Sequence, residues 1–169
     1  MVETIQKTGV DLYVESNTVS TCYDDLGEGA IPVIFIHGFP FDKSSWQPQM
    51  EFLQKTDRVI AYDIRGFGKS TRGEEKASIQ LFADDLIRFM DALNIKVSII
   101  CGLSFGGYIA MNAICRYPNR FKAIILCDTQ CIADSDEVKE QRLENILHIS
   151  AHGTAEFSDG YVKKIFWIV

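Results

Sequence analysis

The chain has 169 residues, 47% apolar and 24% charged, the make-up of a soluble globular protein large enough for one hydrophobic core. Its net charge of -6 comes from acidic residues scattered along the chain, and no cluster of Lys or Arg makes a footprint for nucleic acid or an anionic membrane, so a small-molecule partner is expected. The amino terminus lacks a basic segment followed by an apolar core, and the longest apolar runs are strand length, which points to a cytoplasmic protein.

Residues 10–14 and 19–23 alternate as two antiparallel strands turned at Ser16-Asn17, with residues 24–29 as the loop leading out. Residues 31–36 form a buried strand that runs into His37-Gly38-Phe39-Pro40. Gly38 lets the backbone approach a ligand and Pro40 stiffens the turn, which makes the N–H of Phe39 a candidate oxyanion donor. His37 follows an apolar strand and reads as a structural histidine that orders the loop, not as a base.

Residues 43–55, carrying Trp46, Met50, Phe52 and Leu53, read as a helix capped by Asp42 or Ser44, and residues 58–63 as the next strand. The following Gly68-Lys69-Ser70 imitates a phosphate loop. Asp63 stands where that motif needs its first glycine and no helix opens after it, so nucleotide binding is not expected. Ser78 caps a periodic helix with Ile79, Phe82, Leu86, Phe89, Met90 and Leu93 on one face, ending at Asn94. Asp84, Asp85 and Asp91 read as a solvated face, and no metal or organic cofactor is called for.

Residues 97–101 are a short apolar, β-branched run, and residues 108–117 a helix stopped by Pro118; between them lies Gly102-Leu103-Ser104-Phe105-Gly106-Gly107. A G-x-S-x-G turn between strand and helix is a nucleophile elbow: Ser104 takes a strained conformation, and a Cβ at Gly102 or Gly106 would collide with the neighbouring elements. The N–H of Phe105, at the start of the helix, then faces the space above the serine and is a second candidate oxyanion donor. The plain alternative is a serine that merely caps the helix.

Residues 121–127 are one more buried strand, ending at Asp128. From Ile132 onward the chain is polar and helical, which puts a boundary near that residue. His148 and His152 stand one helical turn apart with no third ligand, so a solvent-facing helix end is expected there. Residues 165–169 are apolar and end without a cap. Of the five cysteines, none in C-x-x-C spacing, three (Cys101, Cys115, Cys127) lie in apolar segments and mostly buried, reduced thiols are expected.

Strands alternating with helices predict an α/β fold with a three-layer, mostly parallel sheet and an antiparallel amino-terminal edge. His37-Gly38-Phe39-Pro40, the Asp63 to Ser70 stretch, the elbow and Tyr117-Pro118-Asn119-Arg120-Phe121 together resemble the α/β-hydrolase superfamily over roughly residues 10–132. Within it the chain is similar to small esterases, lactonases and peroxidase-like hydrolases, including 3-oxoadipate enol-lactonase-like proteins. Serine at the elbow argues against the haloalkane dehalogenases and epoxide hydrolases, which carry aspartate there.

The resemblance implies a core over residues 1–131, the beginning of a helical cap over residues 132–169, Ser104 as nucleophile, and Phe39 and Phe105 as oxyanion donors. It also implies that the histidine base and its usual acid lie beyond residue 169, so that the chain is an amino-terminal portion, incomplete at the carboxyl end of its sheet. Asp128, at the carboxyl end of a strand 24 residues after Ser104, is the one candidate acid inside the chain; it equally suits a cap on the following loop. The function expected is hydrolysis of a small carboxylic ester or lactone through an acyl-enzyme. A reading of another class is an incomplete half-fold serving as a binding or assembly module, paired with the carboxyl-terminal remainder or with a second copy.

Overall fold

The computed structural model of the protein describes residues 8–166, and side chains through residue 163. The apolar run expected at residues 165–169 lies outside the described side chains. The chain divides into two compact units, Met1–Cys131 and Ile132–Val169.

The first unit is a six-stranded sheet in the order β1-β2-β4-β3-β5-β6. β1 (Gly9–Ser16) and β2 (Val19–Leu26) pair antiparallel, and β2 also runs antiparallel to β4 (Val59–Tyr62). From there the sheet is parallel: β3 (Val33–Ile36) lies between β4 and β5 (Ser98–Leu103), and β6 (Phe121–Cys127) completes it. The hairpin turn is tight because Asn17 takes a left-handed conformation, φ 55°, that asparagine tolerates. β2 runs further than its alternation suggests and carries Asp24 and Asp25 into the sheet. Asp25 is fully buried because the Arg58 guanidinium grips it bidentately at 2.9 and 2.6 Å, so two polar residues 33 positions apart make each other's burial tolerable.

Alternation along the central strands sorts the core into two layers. Ile34, Ile36, Ile60, Tyr62 and Ile100 join the layer formed with α2 (Ile79–Ala92) and α3 (Phe105–Arg116). Phe35, Val59, Ala61 and Cys101 join the other, with Trp46 and Met50. The helix expected over residues 43–55 is a 3-10 turn at Lys43–Trp46 followed by a short α1 (Gln47–Leu53). Pro48 has no N–H to give to the preceding turn, so α-helical bonding starts only around it. Asp42 is the cap, accepting from the Ser44 N–H at 2.8 Å, and Phe52 points into solvent because the 3-10 turn and α1 direct Trp46 and Met50 into the core.

Ser78 caps α2 as expected, accepting from the Leu81 N–H at 3.1 Å, and Asn94 ends it at φ 58°. The acidic face of α2 is not the solvated face expected. Asp85 takes Arg65 bidentately at 2.6 and 2.9 Å, while Asp84 takes Arg116 at 2.7 Å and the Tyr117 hydroxyl at 2.5 Å. The cysteines are also less buried than expected: Cys22 and Cys101 are buried, Cys127 is half-buried, and Cys115 and Cys131 are exposed. Cys115 lies on the outer side of the last turn of α3, and Cys131 follows the last strand.

The second unit is helical. Ser135 caps α4 (Asp136–His152), accepting from the Val138 N–H at 3.4 Å, and Gly153, at φ 83°, separates it from α5 (Ala155–Phe166). His148 and His152 stack on each other with ring centroids 4.6 Å apart. No group of three His, Cys, Asp or Glu among the described residues is arranged to hold a metal ion. No described helix is long and apolar enough to cross a membrane.

Candidate active site

The parallel register brings four polar residues to one edge of the sheet. β3 ends at Ile36, beside Tyr62 of β4 and Gly102 of β5, and β5 ends at Leu103 beside Cys127 of β6. His37, Asp63, Ser104 and Asp128 therefore follow the carboxyl ends of adjacent strands, the edge at which open α/β sheets bind ligands.

Ser104 sits at φ 48°, ψ -110°, in a region that a residue with a side chain occupies only when its surroundings hold it there. Its N–H donates to the Cys127 carbonyl at 2.9 Å, and its carbonyl accepts from the Gly107 N–H at 2.9 Å and from Thr129 Oγ1 at 2.9 Å. The side chain makes no capping bond to α3, so the plain alternative of a helix cap does not describe this serine. The turn depends on small residues. A Cβ on Gly102 would meet the Gly106 carbonyl oxygen at 2.5 Å, and one on Gly106 would run into the Ile36 and His37 carbonyls. A Cβ on Gly107 would land on the Thr129 side chain at 2.5 Å.

The loop after β3 lies against the elbow. Gly38 is adjacent to Leu103, where an added Cβ would make ordinary contact at 3.4 Å, so packing alone does not demand glycine there. The Phe39–Pro40 peptide is cis. Phe39 is 41% exposed, and its ring meets Phe67 edge-on at 6.0 Å. Phe67, from the loop after β4, also contacts His37 at 5.4 Å and Phe105 at 6.1 Å, so one aromatic ring ties the loop of Phe39 to the start of α3. Phe105 opens α3, at the first helical position, where a backbone N–H has no intrahelical acceptor.

His37 is fully buried and committed on both nitrogens. Nε2 accepts from the Ile64 N–H at 3.1 Å, which leaves the proton on Nδ1, 3.0 Å from the Gly38 carbonyl. Burial holds its pKa below the ordinary value, although the Gly38 carbonyl and then Asp63 pull the other way. A neutral imidazole joining the loops after β3 and β4 is thus a structural brace.

Asp63 does parallel work that sequence alone did not single out. It is buried, and its carboxylate accepts the Lys43 N–H from the 3-10 turn and the Lys69 N–H from the loop after β4, each at 2.8 Å. Gly68, at φ 49°, leaves the space that this carboxylate fills. Ser70 of the false phosphate motif donates to the Asp63 carbonyl at 2.7 Å and accepts from the Cys22 N–H at 2.9 Å. The signal available in the sequence was a carboxylate placed just before a glycine-rich loop.

Asp128 stands beside the elbow at φ 42°, exposed, and its carboxylate makes no hydrogen bond to the described residues. Beneath the elbow, Cys101 and Cys127 place their sulfurs 3.9 Å apart. Burial, and after it the neighbouring Cys127, push the Cys101 thiol up to about 12, so it stays protonated and does not compete as a nucleophile. Two cavities, of 380 and 730 Å³, are lined by residues around Lys43 and around Arg58 respectively, and Ser104 lines neither.

Residues 31–152 match the model of a family described as alpha/beta hydrolase fold. The chain is 35% identical over 115 residues to a bifunctional esterase/perhydrolase of Acinetobacter calcoaceticus, a match covering 67% of this chain and 38% of that one. It is 29% identical over 154 residues to 3-oxoadipate enol-lactonase 2 of Acinetobacter baylyi, covering 86% and 57%. Among solved structures, an esterase of Thermogutta terrifontis superposes with a TM-score of 0.82 at 33% identity, covering 88% of this chain and 57% of that one. The chain spans less than two thirds of the length of each.

Proposed function

Because the chain belongs to the alpha/beta hydrolase fold family, we propose that it supplies the nucleophile-bearing part of a hydrolase acting on a small carboxylic ester or lactone. Ser104 Oγ attacks the carbonyl carbon, the electron pair moves onto the carbonyl oxygen, and the N–H groups of Phe105 and Phe39 hold the oxyanion. The serine proton passes to a histidine supplied by the rest of the protein, since both nitrogens of His37 are engaged. The alkoxide departs, taking that proton, and water then releases the acyl group by the same route in reverse. Asp128 is the acid candidate within the chain, and residues 132–169 are the beginning of a helical cap segment.

The observation that carries this reading is the backbone of Ser104: a positive φ between strand and helix, with a side chain that caps nothing. The ester and lactone class rests on what the relatives are named for. Hydrolysis of short p-nitrophenyl esters by the complete hydrolase, before and after Ser104→Ala, tests it. The variant should keep only what the oxyanion hole and binding provide, a factor of roughly 10³ to 10⁴ over water. Retention of most of the activity would remove Ser104 from the mechanism.

A further inference from the structure

Of the bonds that hold the Ser104 backbone, the one from Thr129 has no counterpart in an ordinary helix start. The Gly107 N–H reaches the Ser104 carbonyl as any first turn would, whereas Thr129 Oγ1 comes to the same carbonyl from the segment after β6, at 2.9 Å. The carbonyl of Ser104 and the N–H of Phe105 belong to one peptide group. In a planar trans peptide the two point in opposite directions, so a donor that fixes the carbonyl also fixes the line along which the Phe105 N–H points. A hydrogen bond to the oxygen further polarises the amide and makes its N–H a stronger donor.

The local packing is arranged around this contact. A Cβ on Gly107 would fall 2.5 to 2.6 Å from Oγ1, Cβ and Cγ2 of Thr129, so the second glycine of Gly106-Gly107 is the space in which Thr129 stands. The Ser104 N–H is meanwhile held by the Cys127 carbonyl, two residues before Thr129. Both faces of the strained residue are thus fastened to the end of one strand.

We propose that Thr129 is a positioning residue for the oxyanion donor: its hydroxyl, through the Ser104 carbonyl, orients and polarises the Phe105 N–H. This rests on the reading of Ser104 as nucleophile. An oxyanion forms only in the transition state, so removing the hydroxyl lowers kcat and leaves KM in place. Loss of a direct oxyanion donor costs about 10² to 10³ in kcat, and loss of the bond behind it should cost less, about tenfold.

The test is ester hydrolysis by the complete hydrolase as wild type, Thr129→Val, Thr129→Ser and Ser104→Ala, with the affinity for an alkyl trifluoromethyl ketone measured alongside. Thr129→Val keeps the shape without the donor, and Thr129→Ala reports the same loss should the valine variant fold poorly. The expected result is kcat down about tenfold in Thr129→Val at unchanged KM. The ketone, which mimics the tetrahedral adduct, should weaken by the same factor, and Thr129→Ser should stay within about twofold of wild type because it keeps the donor. Wild-type rates in Thr129→Val, with Ser104→Ala inactive, would overturn this inference alone. So would a Thr129→Ser variant as slow as Thr129→Val, which would make the methyl group the reason. An active Ser104→Ala would instead overturn the nucleophile reading, and this inference with it.

Discussion

Single atoms decide whether the elbow can exist. At Gly106 an added methyl would be driven into two backbone carbonyls, of Ile36 and His37, which cannot swing aside as a side chain would. Gly106→Ala should therefore lower stability by about 1–3 kcal/mol and displace Ser104, whereas Gly38→Ala meets only Leu103 at 3.4 Å and should fold normally. Thermal melts of the two variants check this, and equal melting temperatures would contradict it. Asp128 is exposed and makes no hydrogen bond to the described residues, so Asp128→Asn in the complete hydrolase should cost less than about tenfold in kcat. A loss near 10⁴ in a folded variant would instead make it the triad acid, through an imidazole held in the wrong tautomer.

His37 adds a pH dependence whose sign is set by its burial. Its folded pKa is lowered, so as pH falls below about 6.5 the unfolded chain takes up a proton that the folded chain refuses. The stability this residue confers is present in full above that pH and is lost as pH falls toward the folded pKa. His37→Gln should flatten the dependence of melting temperature on pH below about 6.5 relative to wild type. Parallel curves for the two proteins would contradict it.

At the scale of elements, what could be read in advance was what local pattern dictates. β3, β4, β5 and β6 announce themselves as apolar runs, α2 by its period and its Ser78 cap, and the elbow by glycines whose spacing is a steric requirement. What escaped depends on partners far away in sequence: Asp25 looks like loop until Arg58 neutralises it, and Asp84 and Asp85 look solvated until Arg116 and Arg65 arrive. Thr129 and Asp63 were invisible as organisers for the same reason, since nothing near a threonine after a strand says that it reaches the carbonyl of a serine 25 residues earlier.

β6 carries a prediction of its own. It pairs with β5 along one edge and exposes Ile125 at 47% and Leu126 at 46%, an apolar strand able to template another chain. The 169-residue polypeptide alone should associate with rising concentration in light scattering, and Ile125→Lys should suppress this. A monodisperse wild-type chain at all concentrations would contradict it.

For the whole molecule, the arrangement places a strained serine, a pair of oxyanion candidates and a braced loop on one edge of a parallel sheet, with both nitrogens of His37 already engaged. On the proposed mechanism the 169-residue chain should hydrolyse esters poorly by itself, and a fast ester hydrolysis abolished by Ser104→Ala would contradict this. The most direct test of the central claim, that Ser104 is an activated nucleophile, is to treat the complete hydrolase with a fluorophosphonate and locate the adduct by peptide mass spectrometry. A single phosphonyl group on Ser104, formed as esterase activity disappears and absent from Ser104→Ala, is the result predicted. An adduct on another residue that tracks the loss of activity, with Ser104 unmodified, would contradict it.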